Sequence, residues 1–147
     1  MATDAITLMK DIPLFREMGE GELNLIWAMG QEIGMSADRS LAAAGNEPQA
    51  FWILLEGSIA VRTIMPGHDP SIVHAPAVWG VAALVPPYRS PGTAVTVTNC
   101  RLVRIESADV RQLADTNPRM GTRLYQAIAA HSFRRVRELM DESKAPS

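Results

Sequence analysis

His68, Asp69 and His74 are the side chains whose types would suit a metal ion, since imidazole and carboxylate are standard ligands. Their setting argues otherwise. His68-Asp69-Pro70 reads as a hairpin tip, no further ligand cluster is in view, and the paired His-x-His and glutamate pattern of metal-dependent barrel enzymes is absent, so no metal is expected. Cys100 is the only cysteine and falls in a predicted hairpin turn; alone it cannot make an intrachain disulfide, a four-cysteine zinc site or an iron-sulfur cluster. His131 lies in a helical stretch and reads as an interface or core-edge histidine. No nucleophile and base pair by spacing, so no enzymatic activity is expected. Five arginines and no acid lie between Arg119 and Arg137. They read as a solvated helix face with cations toward its C-terminal half, because so few charges give only weak nonspecific affinity for nucleic acid.

The elements that must position these residues form one domain. A chain of 147 residues with 47% hydrophobic and 20% charged residues and a net charge of −2 has a globular balance and can bury a core unaided. No apolar run reaches the ~18 residues of a membrane span, and Met1-Ala2-Thr3-Asp4 lacks a basic region leading into an apolar one. With a single cysteine, this predicts a soluble protein of the reducing cytoplasm. There are no internal repeats.

Periodicity divides the chain into three parts. Asp4 to Lys10 is predicted helical with Thr3 as its cap, and Gly19 to Gly30 repeats Leu23, Ile26 and Trp27 at helical spacing. From about Gln31 to Ile105 short segments alternate with Gly, Pro, Asn and Asp, the pattern of an all-β sandwich or barrel. Its clearest hairpin is Phe51 to Arg62, turning at Glu56-Gly57, where glycine supplies the positive φ a tight turn requires. Further strands are Ser71 to His74, Thr93 to Thr98 and Arg101 to Ile105. Ser107 is expected to cap a short helix from Ala108 to Asp115. Asn117-Pro118 then starts a helix reaching about Glu142, with asparagine as cap and proline at the first position. That helix carries two stripes: Met120, Leu124, Ile128 and His131, and Tyr125, Ala129, Ser132, Val136 and Leu139. The first can cover the β unit while the second meets another copy of the chain or a protein partner; the alternative is one broad face packed within its own domain.

This order resembles the cyclic-nucleotide-binding domain of the catabolite-activator and fumarate-nitrate-regulator superfamily, over about Ile12 to Leu139. The resemblance is carried by Ile12-Pro13-Leu14-Phe15, by Gly45-Asn46, and by the hairpin Phe51-Trp52-Ile53-Leu54-Leu55-Glu56-Gly57-Ser58-Ile59-Ala60-Val61. It continues through Trp79-Gly80 with Ala83-Leu84, and through Leu102-Val103-Arg104-Ile105 into the following helix. It implies a mainly β fold with flanking helices, a double-stranded β-helix (jelly-roll) barrel. The N-terminal helices would span 1–30, the β-barrel 31–106 and the C-terminal helices 107–143.

The resemblance also implies a phosphate-binding cassette, approximately Phe-Gly-Glu-x-Ala-Leu, a loop, then Pro-Arg-x-Ala-Thr. In such a cassette a short helix start offers N–H groups to the cyclic phosphate, an arginine neutralises it, and a glutamate accepts the ribose 2′-hydroxyl. The matching positions are Trp79, Gly80, Val81, Ala82, Arg89, Ser90 and Thr93. Valine at 81 removes the ribose acceptor. The arginine position falls on Ser90 when counted back from Ile105 without gaps, and on Arg89 if the last hairpin is one residue longer. Pro91 and Gly92 replace the small residue and the hydroxyl, and proline has no N–H to give. The expectation is a weakened or altered site for cyclic AMP (cAMP), cyclic GMP (cGMP) or a related anion, with no other cofactor. Two functions follow: a free-standing sensor that signals through its long helix, or a ligand-independent interaction module working through Tyr125 to Leu139. The chain ends a few residues past that helix, so DNA binding is not expected.

Overall fold

The computed structural model describes residues 2–16, 18–63 and 70–144. Helix α1 (Ala2–Lys10) and α2 (Glu20–Ala28) flank a single 3-10 turn, Pro13–Phe15. Thr3 lies inside α1, which already starts at Ala2. At α2 the Glu22 carboxylate accepts the Gly19 backbone N–H at 2.8 Å and the Arg123 guanidinium at 3.2 Å, joining the helix start to a residue about one hundred positions away.

Among the described residues eight strands follow: β1 (Gly30–Met35), β2 (Ser40–Ala42), β3 (Ala50–Glu56), β4 (Ser58–Thr63), β5 (Ser71–His74), β6 (Ala77–Trp79), β7 (Gly92–Thr96) and β8 (Cys100–Glu106). They form two antiparallel four-stranded sheets, β1-β8-β3-β6 and β2-β7-β4-β5. The fold is a jelly roll, but among the described residues no ladder joins the two sheets, so the expected barrel is open.

Strand alternation separates two cores. Phe51, Ile53, Val103 and Ile105 face the helices and pack with Leu14, Phe15, Leu23, Ile26, Met120 and Leu124. Trp52, Leu54 and Leu102 face the second sheet and pack with Ile59, Val61 and Ala94. Both faces of β3 and β8 are therefore buried, and a slip of one residue would exchange the two sets.

The β3–β4 hairpin turns at Gly57, whose φ is +98°, as predicted. Three neighbouring elements depart from the sequence reading. Strand β7 stops at Thr96 because the Thr98 hydroxyl accepts the Ser58 N–H at 3.0 Å and shapes the turn. Cys100 is the first residue of β8 rather than part of that turn, and it is buried against the Ser58 and Thr98 carbonyls. Ser107 is no cap. It is the buried first residue of α3 (Ser107–Thr116), and its N–H is bonded to the Gln49 carbonyl at 3.0 Å, so β8 runs directly into the helix.

Helix α4 (Pro118–Lys144) spans 27 residues, about 40 Å at 1.5 Å per residue. Asn117 caps it, its side-chain oxygen accepting the Met120 N–H at 3.2 Å. A Cβ on Gly121 would stand 2.6 Å from the Ala114 carbonyl oxygen, so α3 and α4 touch backbone to backbone there.

Substituting Gly57 by alanine combines a left-handed φ with a Cβ only 2.5 Å from the Asn99 carbonyl oxygen and 2.7 Å from Cys100 Sγ. Gly57→Ala is expected to lower stability by about 1–3 kcal/mol. A urea unfolding curve at unchanged m-value checks this.

Candidate functional site

The site begins where β6 ends. Trp79 pairs in register with Trp52 of β3, and Gly80 follows with φ +99°. A Cβ at Gly80 would lie 3.0 Å from the Ala50 carbonyl oxygen and 3.6 Å from the Trp52 ring. Only glycine combines this φ with so close an approach at little cost. Val81 to Ala83 then make one 3-10 turn, closed by Ala83 N–H to the Gly80 carbonyl at 2.9 Å and Leu84 N–H to the Val81 carbonyl at 3.0 Å. Val81 packs against the helix-side core, so the position where the cassette pattern has a carboxylate is occupied by methyl groups in apolar contact.

The loop from Val85 to Pro91 is held at several points. Tyr88 adopts φ +58°, donates its N–H to the Val85 carbonyl at 3.0 Å, and lies with its ring 4.5 Å from the Arg111 guanidinium of α3. Ser90 is 5% exposed. Its N–H donates to the Asn46 carbonyl and its carbonyl accepts the Gly45 N–H, both at 2.9 Å, while its hydroxyl donates to the Gly92 carbonyl at 2.7 Å. The serine is thus committed to holding the loop on the β2–β3 turn. Arg89, between these anchors, is exposed and forms no ion pair or hydrogen bond among the described residues. Thr93 pairs with exposed Arg62 on the face of β7 opposite buried Ala94.

The structure therefore gathers Trp79, Gly80, Val81 and Ala82 at one corner of the first sheet, uses Ser90 as a tether, leaves Arg89 free in solvent and turns Thr93 to the outside. His74 is bonded through Nδ1 to the Ser58 hydroxyl at 2.7 Å. His68 and Asp69 lie outside the described residues.

On α4, Met120, Leu124 and Ile128 are buried and His131 is half-buried, while Tyr125, Ala129, Ser132 and Val136 are exposed. The side chain of Leu139 lies outside those described. Phe133, 63% exposed, and Met140, 51% exposed, widen the apolar outer face. Tyr125 and Ala129 also line a shallow groove of about 650 Å³ between the end of α3 and α4, with Ala114, Asp115, Gly121 and Gln126. Burial, with the nearby Tyr88 and Asp115, raises the Tyr125 phenol above its ordinary value, partly opposed by Arg111, so loop, α3 and α4 meet at this point.

The sequence reading missed Tyr88, Arg111, Trp52 and Arg104. The Arg104 guanidinium lies 5.8 Å from the centroid of the Trp52 ring and pairs with Glu106. Alternation along β8 from Leu102 was the available signal, but the partner strand was needed to use it.

A family model of the cyclic nucleotide-binding domain matches residues 34–117, more than half of the chain. This protein belongs to that family. Solved structures agree on the fold. A cyclic nucleotide-binding protein from Geobacter metallireducens is 21% identical, with 87% of this chain and 95% of that chain covered and a TM-score of 0.74. The sensor domain of the transcriptional regulator DNR from Pseudomonas aeruginosa is 19% identical, covering 99% and 97%, with a TM-score of 0.68. The Thermus thermophilus catabolite activator protein is 20% identical over 88% of this chain, with a TM-score of 0.71, and this chain spans 61% of its length. No curated protein matches the sequence. Among the described residues no helix is long and apolar enough to cross a membrane.

Burial, together with Arg134 and Arg135, lowers the His131 pKa below 6.5, with Glu138 opposing. Protonation therefore favours the unfolded chain. Stability from neutral His131 is fully present above pH 6.5 and is lost as pH falls from there toward the depressed folded value. His131→Gln should flatten that part of the stability profile, which denaturant unfolding between pH 5 and 7.5 measures.

Proposed function

We propose that this chain is a non-catalytic regulatory domain of the cytoplasm that takes a cyclic nucleotide, or a related anion, at the corner formed by Gly80 and the Arg89 loop. The observation that carries this reading is the left-handed Gly80 between β6 and a 3-10 turn, with an exposed arginine, unpaired among the described residues, in the loop that follows. The backbone of the turn and the Arg89 charge are the groups suited to a cyclic phosphate. Val81 offers no acceptor to a ribose hydroxyl, so affinity is lowered. In this reading α4 carries the response, pairing with a second copy through Tyr125, Ala129, Ser132, Val136 and Leu139.

A second reading is favoured by a separate observation. Ser90 is spent on the loop, and the outer face of α4 is apolar, with Val136 51% exposed. A domain with these features also suits a ligand-independent interaction module.

Calorimetric titration with cAMP and cGMP separates the two. Micromolar binding that disappears in Arg89→Ala supports the sensor, whereas no heat at high nucleotide concentration supports the interaction module; binding that survives Arg89→Ala moves the phosphate contact elsewhere. Val81→Glu restores a charged acceptor for the 2′-hydroxyl. It should tighten cAMP binding by about one to two decades, the equivalent of ~1.5–3 kcal/mol.

A further inference from the structure

The register of the first sheet places four residues on one rung: Trp79 of β6, Trp52 of β3, Arg104 of β8 and Gln31 of β1. All four share the inner face, because Trp52, Trp79, Leu102, Ile33 and Met35 belong to the core between the sheets and strand residues alternate. The rung starts at the cassette. Gly80 directly follows Trp79 and sits against Trp52, where an added Cβ would be 3.6 Å from the ring. Trp52 is buried, Trp79 and Arg104 on either side of it are half-buried, and Gln31 at the far end is exposed. A guanidinium beside an indole, with one of its N–H groups on Glu106, still has donors to offer and a planar face.

We propose that Trp79, Trp52 and Arg104 are the ring-recognition half of the nucleotide site, reading the purine of a cyclic nucleotide instead of its sugar. This rests on the cassette reading above. The chemistry is complementary: indoles stack with flat heteroaromatic rings, and the arginine fork donates to ring acceptors while adding charge attraction to the phosphate. The missing sugar contact at Val81 and this aromatic-cationic rung adjoin Gly80 from its two sides. A ligand held this way is indifferent to the 2′-hydroxyl, so deoxyribose and ribose forms bind alike.

The test is titration with cAMP and 2′-deoxy-cAMP followed by tryptophan fluorescence in a Trp27→Phe background, where Trp52 and Trp79 are the remaining reporters. Both nucleotides should quench the emission with dissociation constants within about twofold. Arg104→Met, which keeps an apolar stem over Trp52, should weaken both by about tenfold or more, in the range of a lost base-stacking contact. Arg104→Lys, which keeps the charge and loses the planar fork, provides a second variant and should also weaken both. Unchanged affinity in Arg104→Met and Arg104→Lys, with binding still lost in Arg89→Ala, overturns the rung and leaves the cassette reading standing. A 2′-deoxy form that binds tenfold more weakly overturns it as well. No binding of either nucleotide overturns the cassette reading and the rung together.

Discussion

Burial of the β3–β8 pair on both faces is the constraint on which the rest of the molecule depends. Phe51 meets Phe15 edge to face at 6.2 Å on the helical side, while Trp52, one residue later, belongs to the core between the sheets. Strand β1 closes against β8 so tightly that a Cβ on Gly30 would stand 2.2 Å from a Val103 methyl. These contacts fix the register of the sheet from both sides. The functional elements hang from that register: β6 delivers Gly80 along one edge of β3, and β8 passes without a break into α3 and then α4.

The cassette loop is joined to three separate parts of this frame. Gly80 lies on the β3 backbone, Ser90 is bonded to the β2–β3 turn, and Tyr88 is held under Arg111 of α3. Arg89 projects from between the last two. A charge presented from a loop tethered on both sides gives up less backbone entropy on meeting an anion, so the tethers favour the proposed contact rather than oppose it. Through Arg111 and the neighbouring Tyr125 the same loop adjoins α4 at its first turns, the part of the helix that is packed on the domain. Its later turns carry Phe133, Val136 and Met140 outward.

Much of the fold was legible because it is written in local chemistry. Glu56-Gly57 between two apolar runs defines a hairpin, Asn117-Pro118 defines a helix start, and the Met120, Leu124, Ile128 stripe defines which face of α4 is covered. The misreadings have a common cause. Ser107 and Thr98 carry hydroxyls that suit a cap and a strand, yet their roles are set by groups distant in sequence, Gln49 and Ser58. A hydroxyl has several partners of similar strength open to it, and propensity alone does not choose among them.

The residues alone determined the β3–β4 hairpin at Gly57, the start of α4 at Asn117-Pro118 and the stripe of α4 that is covered, because alternation, periodicity and turn chemistry are properties of short stretches of chain, while the place of Gly80 and the missing carboxylate at Val81 came from the family resemblance. Tertiary structure decided that Ser90 is a tether and Arg89 is the free group, and it set Trp79, Trp52 and Arg104 side by side. Those outcomes depend on which strands pair and in what register, a choice settled by burying both faces of β3 and β8 together rather than by any single segment.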